Sequence, residues 1–285
     1  MPFARCNDVD LYYEEVGAGE PLLLVSGQGG DHHGWDAVRE DFADRYRVIT
    51  WDHRGTGESD KPEEPPYSTR RFAADAVALL DHLEIERAHA YVISMGGRIC
   101  QWLGIDHGGR MGALVLGCTT PGNAHGVRRP PEVDAKMANR PSSPEEAAAF
   151  LAEQMVTPAY LASHPEYMRY LLERAKNPIP RHAQRLHYQA SEGHDTWDLL
   201  PTITAPVLVI HGSDDQLNPT ANAPLLVERI PGAEMYIVEG GRHGYFIEIR
   251  EEASGVVREF LGRHAIPSPT RPRSASTRRV GQAGS

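Results

Sequence analysis

Only three cysteines, Cys6, Cys100 and Cys118, occur in 285 residues. An odd set cannot pair off completely, and one so sparse makes no disulfide framework of the exported kind. Long apolar runs are missing too. Leu22–Val25 and Val207–Ile210 are far too short to cross a bilayer. The first ten residues, Met1 to Asp10, lack the basic-then-apolar layout of a secretory leader. These absences lead us to expect a cytoplasmic protein with reduced thiols and no membrane partner. Positive charge is in deficit, 29 Lys and Arg against 39 Asp and Glu, a formal −10. Non-specific nucleic-acid binding rests on neutralising phosphates, so nucleic acid is not an expected partner. Nucleotide loops are lacking as well. G-x-x-x-x-G-K-[ST] occurs nowhere, and a dinucleotide loop begun at Gly27 would need glycine where His32 stands.

What is present is an ordinary globular composition, 40% hydrophobic and 24% charged, arranged in a strand–helix rhythm. Val9–Glu15 alternates weakly, as an early antiparallel strand would. Leu22–Val25 is a continuous apolar run, the pattern of a strand covered on both faces, and Arg47–Trp51, Ala88–Ile93 and Ala113–Leu116 read as further strands. Between them the spacing predicts helices over about 35–44, over 68–83 with Ser68 or Thr69 as cap, and from Met95 to about His107. From Thr119 to Leu200 only helix-like pieces occur. The alternation returns with Val207–Ile210, a helix near Pro224–Arg229, strand Met235–Val238 and a last helix to His264. The fold class is therefore α/β, a mostly parallel, doubly wound sheet. The expected organisation is a core of residues 1–120 and 201–264 with a helical cap, 121–200, inserted after the sixth strand. Residues 265–285, with Arg271, Arg273, Arg278 and Arg279 and no acid, are expected to be a disordered basic tail.

The chemistry-bearing segment is Tyr91-Val92-Ile93-Ser94-Met95-Gly96-Gly97, a serine at a strand-to-helix switch. Such a turn lifts the hydroxyl off the sheet, and the helix beginning at Met95 aims free N–H groups and its positive end at a reacting carbonyl. A serine nucleophile needs a base, and the base an orienting acid. A carboxylate beyond the Val207–Ile210 strand would face the ligand crevice. Asp214 and Asp215 compete there, and the Gly-x-x-Asp-x-x-x-Pro spacing selects Asp215. After Met235–Val238, His243 sits in a glycine-flanked loop able to reach the serine. The Gly-rich turn after Leu22–Val25 offers Gln28 as a second backbone N–H donor beside Met95, with Gly27 and Gly29 allowing close approach of substrate. Arg98, four residues past Ser94, could reach an anionic substrate; a surface salt bridge is its competing fate. Val92 is expected to crowd the elbow, so that Val92→Gly raises turnover. Asp52-His53-Arg54-Gly55 reads as a structural turn held by Arg54, Cys100 and Trp102 as core. His32 and His33 beside Asp31 and Asp36 do not have a metal layout, so no metal is expected.

Taken in order, Ser26-Gly27-Gln28-Gly29-Gly30, Asp52 to Ser59, Ser94-Met95-Gly96-Gly97, Asp215 and His243 resemble the α/β-hydrolase superfamily over about residues 8–262. The runs Ser94–Leu116 and Leu200–Val209 are most similar to the oxoadipate enol-lactonase and small carboxylesterase branch. Val92 stands where that family has its first elbow glycine, and Ser26 where it has histidine. The resemblance implies a cofactor-free lactonase or esterase with a four-helix cap, acting on a small-molecule ester, lactone or thioester through an acyl-enzyme on Ser94. Perhydrolase or haloperoxidase-type chemistry, or ligand binding alone, are the alternatives. A base with its orienting acid speaks against the last.

Overall fold

The structure, a computed structural model, describes residues 2–139, 141 and 143–267. The strands are β1 (Phe3–Cys6), β2 (Val9–Val16), β3 (Glu20–Val25), β4 (Tyr46–Trp51), β5 (Ala88–Ile93), β6 (Met111–Gly117), β7 (Val207–Gly212) and β8 (Glu234–Val238). They form one sheet in the order β1-β2-β4-β3-β5-β6-β7-β8. Only β1 against β2 and β2 against β4 are antiparallel. The fully buried strands have apolar side chains on both faces, so neighbouring residues serve different cores. In β5, Ala88, Ala90 and Val92 enter one apolar cluster, while Tyr91 and Ile93 enter the other.

Helix α1 (Thr69–His82) starts where Ser68 Oγ accepts the Arg71 N–H. It packs with α2 (Met95–Asp106) on the Val92 face. Five helices follow β6: α3 (Pro131–Ala138), α4 (Pro144–Met155), α5 (Pro158–Ser163), α6 (Pro165–Lys176) and α7 (Arg181–Glu192). Four of them carry proline at their start, where the missing N–H costs nothing. The resemblance implied four helices; the six-residue α5 is the additional one. Helices α8 (Asn222–Arg229), α9 (Tyr245–Glu248) and α10 (Arg250–Arg263) complete the core.

Two local expectations fail. Residues 35–44 are not an α-helix: 3-10 turns at His32–Trp35 and Arg39–Asp41 carry them instead. The bonds Val38 N–H to Trp35 O and Asp41 N–H to Val38 O close at three residues, which still buries Trp35, Val38 and Phe42. Nor does the chain leave the fold at 265. Ile266 donates its N–H to Glu20, so the described part continues to Pro267. The expected tail from 268 onward lies outside the described residues. Arg54 does hold its turn: it is fully buried and reaches both oxygens of Asp75 at 2.7 and 2.9 Å, and Asp8 at 2.9 Å.

Candidate active site

Ser94 joins β5 to α2 with φ 57° and ψ −120°, a conformation that L side chains rarely adopt. The surroundings over-determine it. Ser94 N–H donates to Gly117 O on β6, and its carbonyl accepts from Thr119 Oγ1 and Gly97 N–H. The turn is close to its neighbours on the other side too. A Cβ placed on Gly27 would lie 3.0 Å from Ser94 Cβ, and one on Gly96 would collide with the Val25 and Ser26 carbonyls. Crowding at the elbow thus comes from the end of β3. Val92 is fully buried, in the apolar cluster that also holds Met95 and Ile99.

Asp215 and His243 are brought together from the loops after β7 and β8. Asp215 Oδ2 lies 2.8 Å from His243 Nδ1 and 3.1 Å from His211 Nε2, while its Oδ1 accepts from Leu217 and Asn218 N–H. Burial pushes this carboxyl up, but the facing His243 and the bonds from both imidazoles outweigh it and hold it well below the usual carboxylate range. Asp214 is not part of this group; it pairs with Arg242 at 3.1 Å. His243 is itself fixed by its backbone, its N–H donating to Gln154 O on α4. Its Nε2 lies 3.9 Å from Cys118 Sγ, and among the described residues no hydrogen bond joins it to Ser94 Oγ. Such links often tighten only when substrate binds.

The Gly27–Gly30 turn lies against Ser94. Gly29 takes φ 70° and gives its N–H to His187 Nδ1 at 3.3 Å, and His187 Nε2 bonds Arg54 O at 2.7 Å. Helix α7 therefore clamps the loop that carries Gln28. Arg98 departs from both of its expected fates. It is 2% exposed, far from a surface salt bridge, and its Nη1 donates to Ser191 O and Ser191 Oγ at the end of α7. Burial, only partly opposed by Glu192, lowers its pKa to about 10. The cation sits against the negative end of a helix, so we assign it to holding the insert and not to substrate. His32 and His33 serve different carboxylates, Asp52 at 2.7 Å and Asp36 at 2.8 Å. Two open concavities of about 580 and 230 Å³ lie elsewhere, by Tyr12–Val16 and by Trp102 and His194.

With the geometry in place, comparisons with known proteins fix the family. A family model described as the alpha/beta hydrolase fold matches residues 20–248. The chain belongs to the α/β-hydrolase family. It is 31% identical over 260 residues to a protein of Azorhizobium caulinodans named as a candidate carbamate hydrolase, RutD, covering 86% of this chain and 92% of that one. It is 29% identical over 240 residues to 3-oxoadipate enol-lactonase 2 of Acinetobacter baylyi, covering 82% and 86%. A hydrolase of Pseudomonas aeruginosa superposes with TM-score 0.80 at 29% identity, over 91% and 97%. This α/β-hydrolase is thus an enzyme whose relatives include the enol-lactonases named by the sequence resemblance and carbamate hydrolases that it did not name. No helix among its described residues is long and apolar enough to cross a membrane.

Sequence reasoning missed His211, Asn218, His187 and Cys118. Asn218 ties the β6 and β7 loops, its Nδ2 donating to Cys118 O at 2.7 Å and its carbonyl accepting from His211. His211 and Asn218 flank Asp215 in sequence and were open to notice; His187 and Cys118 arrive from distant elements with no local signal.

Proposed function

We propose that this α/β-hydrolase cleaves the carbonyl of a small ester, lactone or thioester through an acyl-enzyme on Ser94. The observation that supports the reading is the strained Ser94 elbow after β5 together with the buried Asp215–His243 pair on the loops after β7 and β8. In this reading His243 Nε2 takes the Ser94 proton as Oγ attacks the carbonyl carbon. Asp215 keeps the Nδ1 proton facing it and stabilises the imidazolium that forms. The oxyanion is received by the N–H groups of Met95 and Gln28, fixed in advance by the helix start and by the turn that α7 clamps. Collapse expels the alcohol or thiol, protonated by His243; water then attacks the acyl-enzyme by the reverse use of the same groups. Carbamates, suggested by the name of one set of relatives, present an acyl carbon open to the same attack.

Fluorophosphonate labelling followed by peptide mapping tests this. The expected adduct is on Ser94 alone, and Ser94→Ala or His243→Ala should lower kcat on any accepted ester by several orders of magnitude. A folded protein whose Ser94 stays unlabelled would refute the reading in favour of ligand binding.

A further inference from the structure

Cys118 follows β6 at φ 39°, fully buried, with its Sγ 3.9 Å from His243 Nε2. Among the described residues, Cys118, Asp215 and His243 offer ligand atoms that all lie within 4.8 Å of one another. Neither Cys6 nor Cys100 belongs to such a group. We propose that Cys118 and His243 together bind one soft divalent cation, zinc or cadmium, and that its binding switches the enzyme off. The inhibitory half rests on His243 being the base; the binding half does not.

The spacing suits an ion. With metal–sulfur near 2.3 Å and metal–nitrogen near 2.0–2.1 Å, the two donors would stand about 4.4 Å apart in a linear arrangement and roughly 3.6 Å apart in a tetrahedral one. The 3.9 Å found lies between those limits, so no backbone movement is needed. The imidazole is already set for the task. Asp215 holds Nδ1 at 2.8 Å, which leaves the Nε2 lone pair turned toward the thiol, the carboxylate–histidine–metal arrangement. Asp215 orients and does not ligate, because Oδ1 is occupied by Leu217 and Asn218 N–H. Binding replaces the Cys118 S–H proton by a metal–sulfur bond and releases that proton to solvent; water completes the coordination from the Ser94 side. An ion on Nε2 removes the lone pair that would accept the serine proton.

Cadmium titration of the full chain decides the matter, read by the thiolate-to-cadmium absorption band and by hydrolysis of p-nitrophenyl acetate. The native chain is expected to take up one ion with a band, to lose activity in step, and to regain it with EDTA. Cys118→Ala and the near-isosteric Cys118→Ser should lose the band, and His243→Gln should bind at least tenfold more weakly. In cadmium, Cys118→Ala should keep its own metal-free rate. A band that survives in both Cys118 variants, or no uptake by the native chain, overturns the site. Activity that persists at full occupancy overturns the inhibition. If the native chain hydrolyses no ester, lactone or thioester, the proposed function fails, and the band by itself still decides the site.

Discussion

Adding one methyl group at Gly96 should damage catalysis more than stability. The added Cβ would lie 2.9 Å from Ser26 O and closer still to Val25 O, whereas ordinary Cβ contacts begin at 3.4 Å. Both obstacles are backbone, at the buried end of a central strand, and cannot swing aside as a side chain would. The first turn of α2 must therefore move, on the order of 1 Å, and the Met95 N–H moves with it. Overpacking of this kind typically costs about 1–3 kcal/mol. A displacement of about 1 Å in a reacting geometry can cost a factor on the order of a hundred in rate. Gly96→Ala should therefore stay folded, with a lowered Tm and kcat down roughly a hundredfold on an aryl ester. Gly255→Ala, where an added Cβ meets nothing within 4 Å, is the control and should match the native chain. A Gly96→Ala enzyme with a lowered Tm but native kcat would refute the assignment of the Met95 N–H to the oxyanion.

Asp215→Asn should lower kcat by about three to four orders of magnitude, and Asp214→Asn by no more than a few-fold; the reverse order in steady-state kinetics would move the acid to Asp214. Val92→Gly opens a void in the apolar cluster that also holds Met95 and Ile99 and is expected to cost about 2–4 kcal/mol with no gain in turnover, contrary to what the motif alone suggested. Denaturant titration and esterase rates check both halves. Because the folded Asp215 carboxyl is held below its ordinary 3.8, its stabilisation is complete above that value and fades as pH falls beneath it. Thermal melts of the native chain should show this acid loss, and Asp215→Asn should show a shallower one; parallel slopes would count against a native carboxylate stabilised by its imidazoles.

The central strands were legible because a strand covered on both faces needs only a short, continuous apolar run, as in Leu22–Val25. Phe3–Cys6 was not, since four residues at a sheet edge hold too little alternation to stand out. Trp35, Val38 and Phe42 fit a helix or successive tight turns equally well over so short a span. At the site, Ser94, Asp215 and His243 each follow a readable strand, so local pattern was enough to nominate them. Arg98 was misjudged because its surroundings are made by α7, more than ninety residues later, and only docking of the insert buries it. The Cys118–His243 approach depends on the pairing of β6 with β7 and β7 with β8, a register that local spacing cannot supply.

The insert leaves and rejoins the sheet almost at one point. Gly122 and Asp195 form a two-residue antiparallel bridge, and Thr196 N–H reaches Pro121 O. In chain-entropy terms the loop is already closed at its neck, before any helix docks. Because closure cost grows only logarithmically, doubling the length beyond such a neck adds about 0.6 kcal/mol. Residues 123–194 could be lengthened, shortened or replaced with little effect on the pairing of β6 with β7. The sheet pairing can thus outlast a change in the insert, whereas His243 and the Gln28 turn, which rest on Gln154 of α4 and His187 of α7, would move with it.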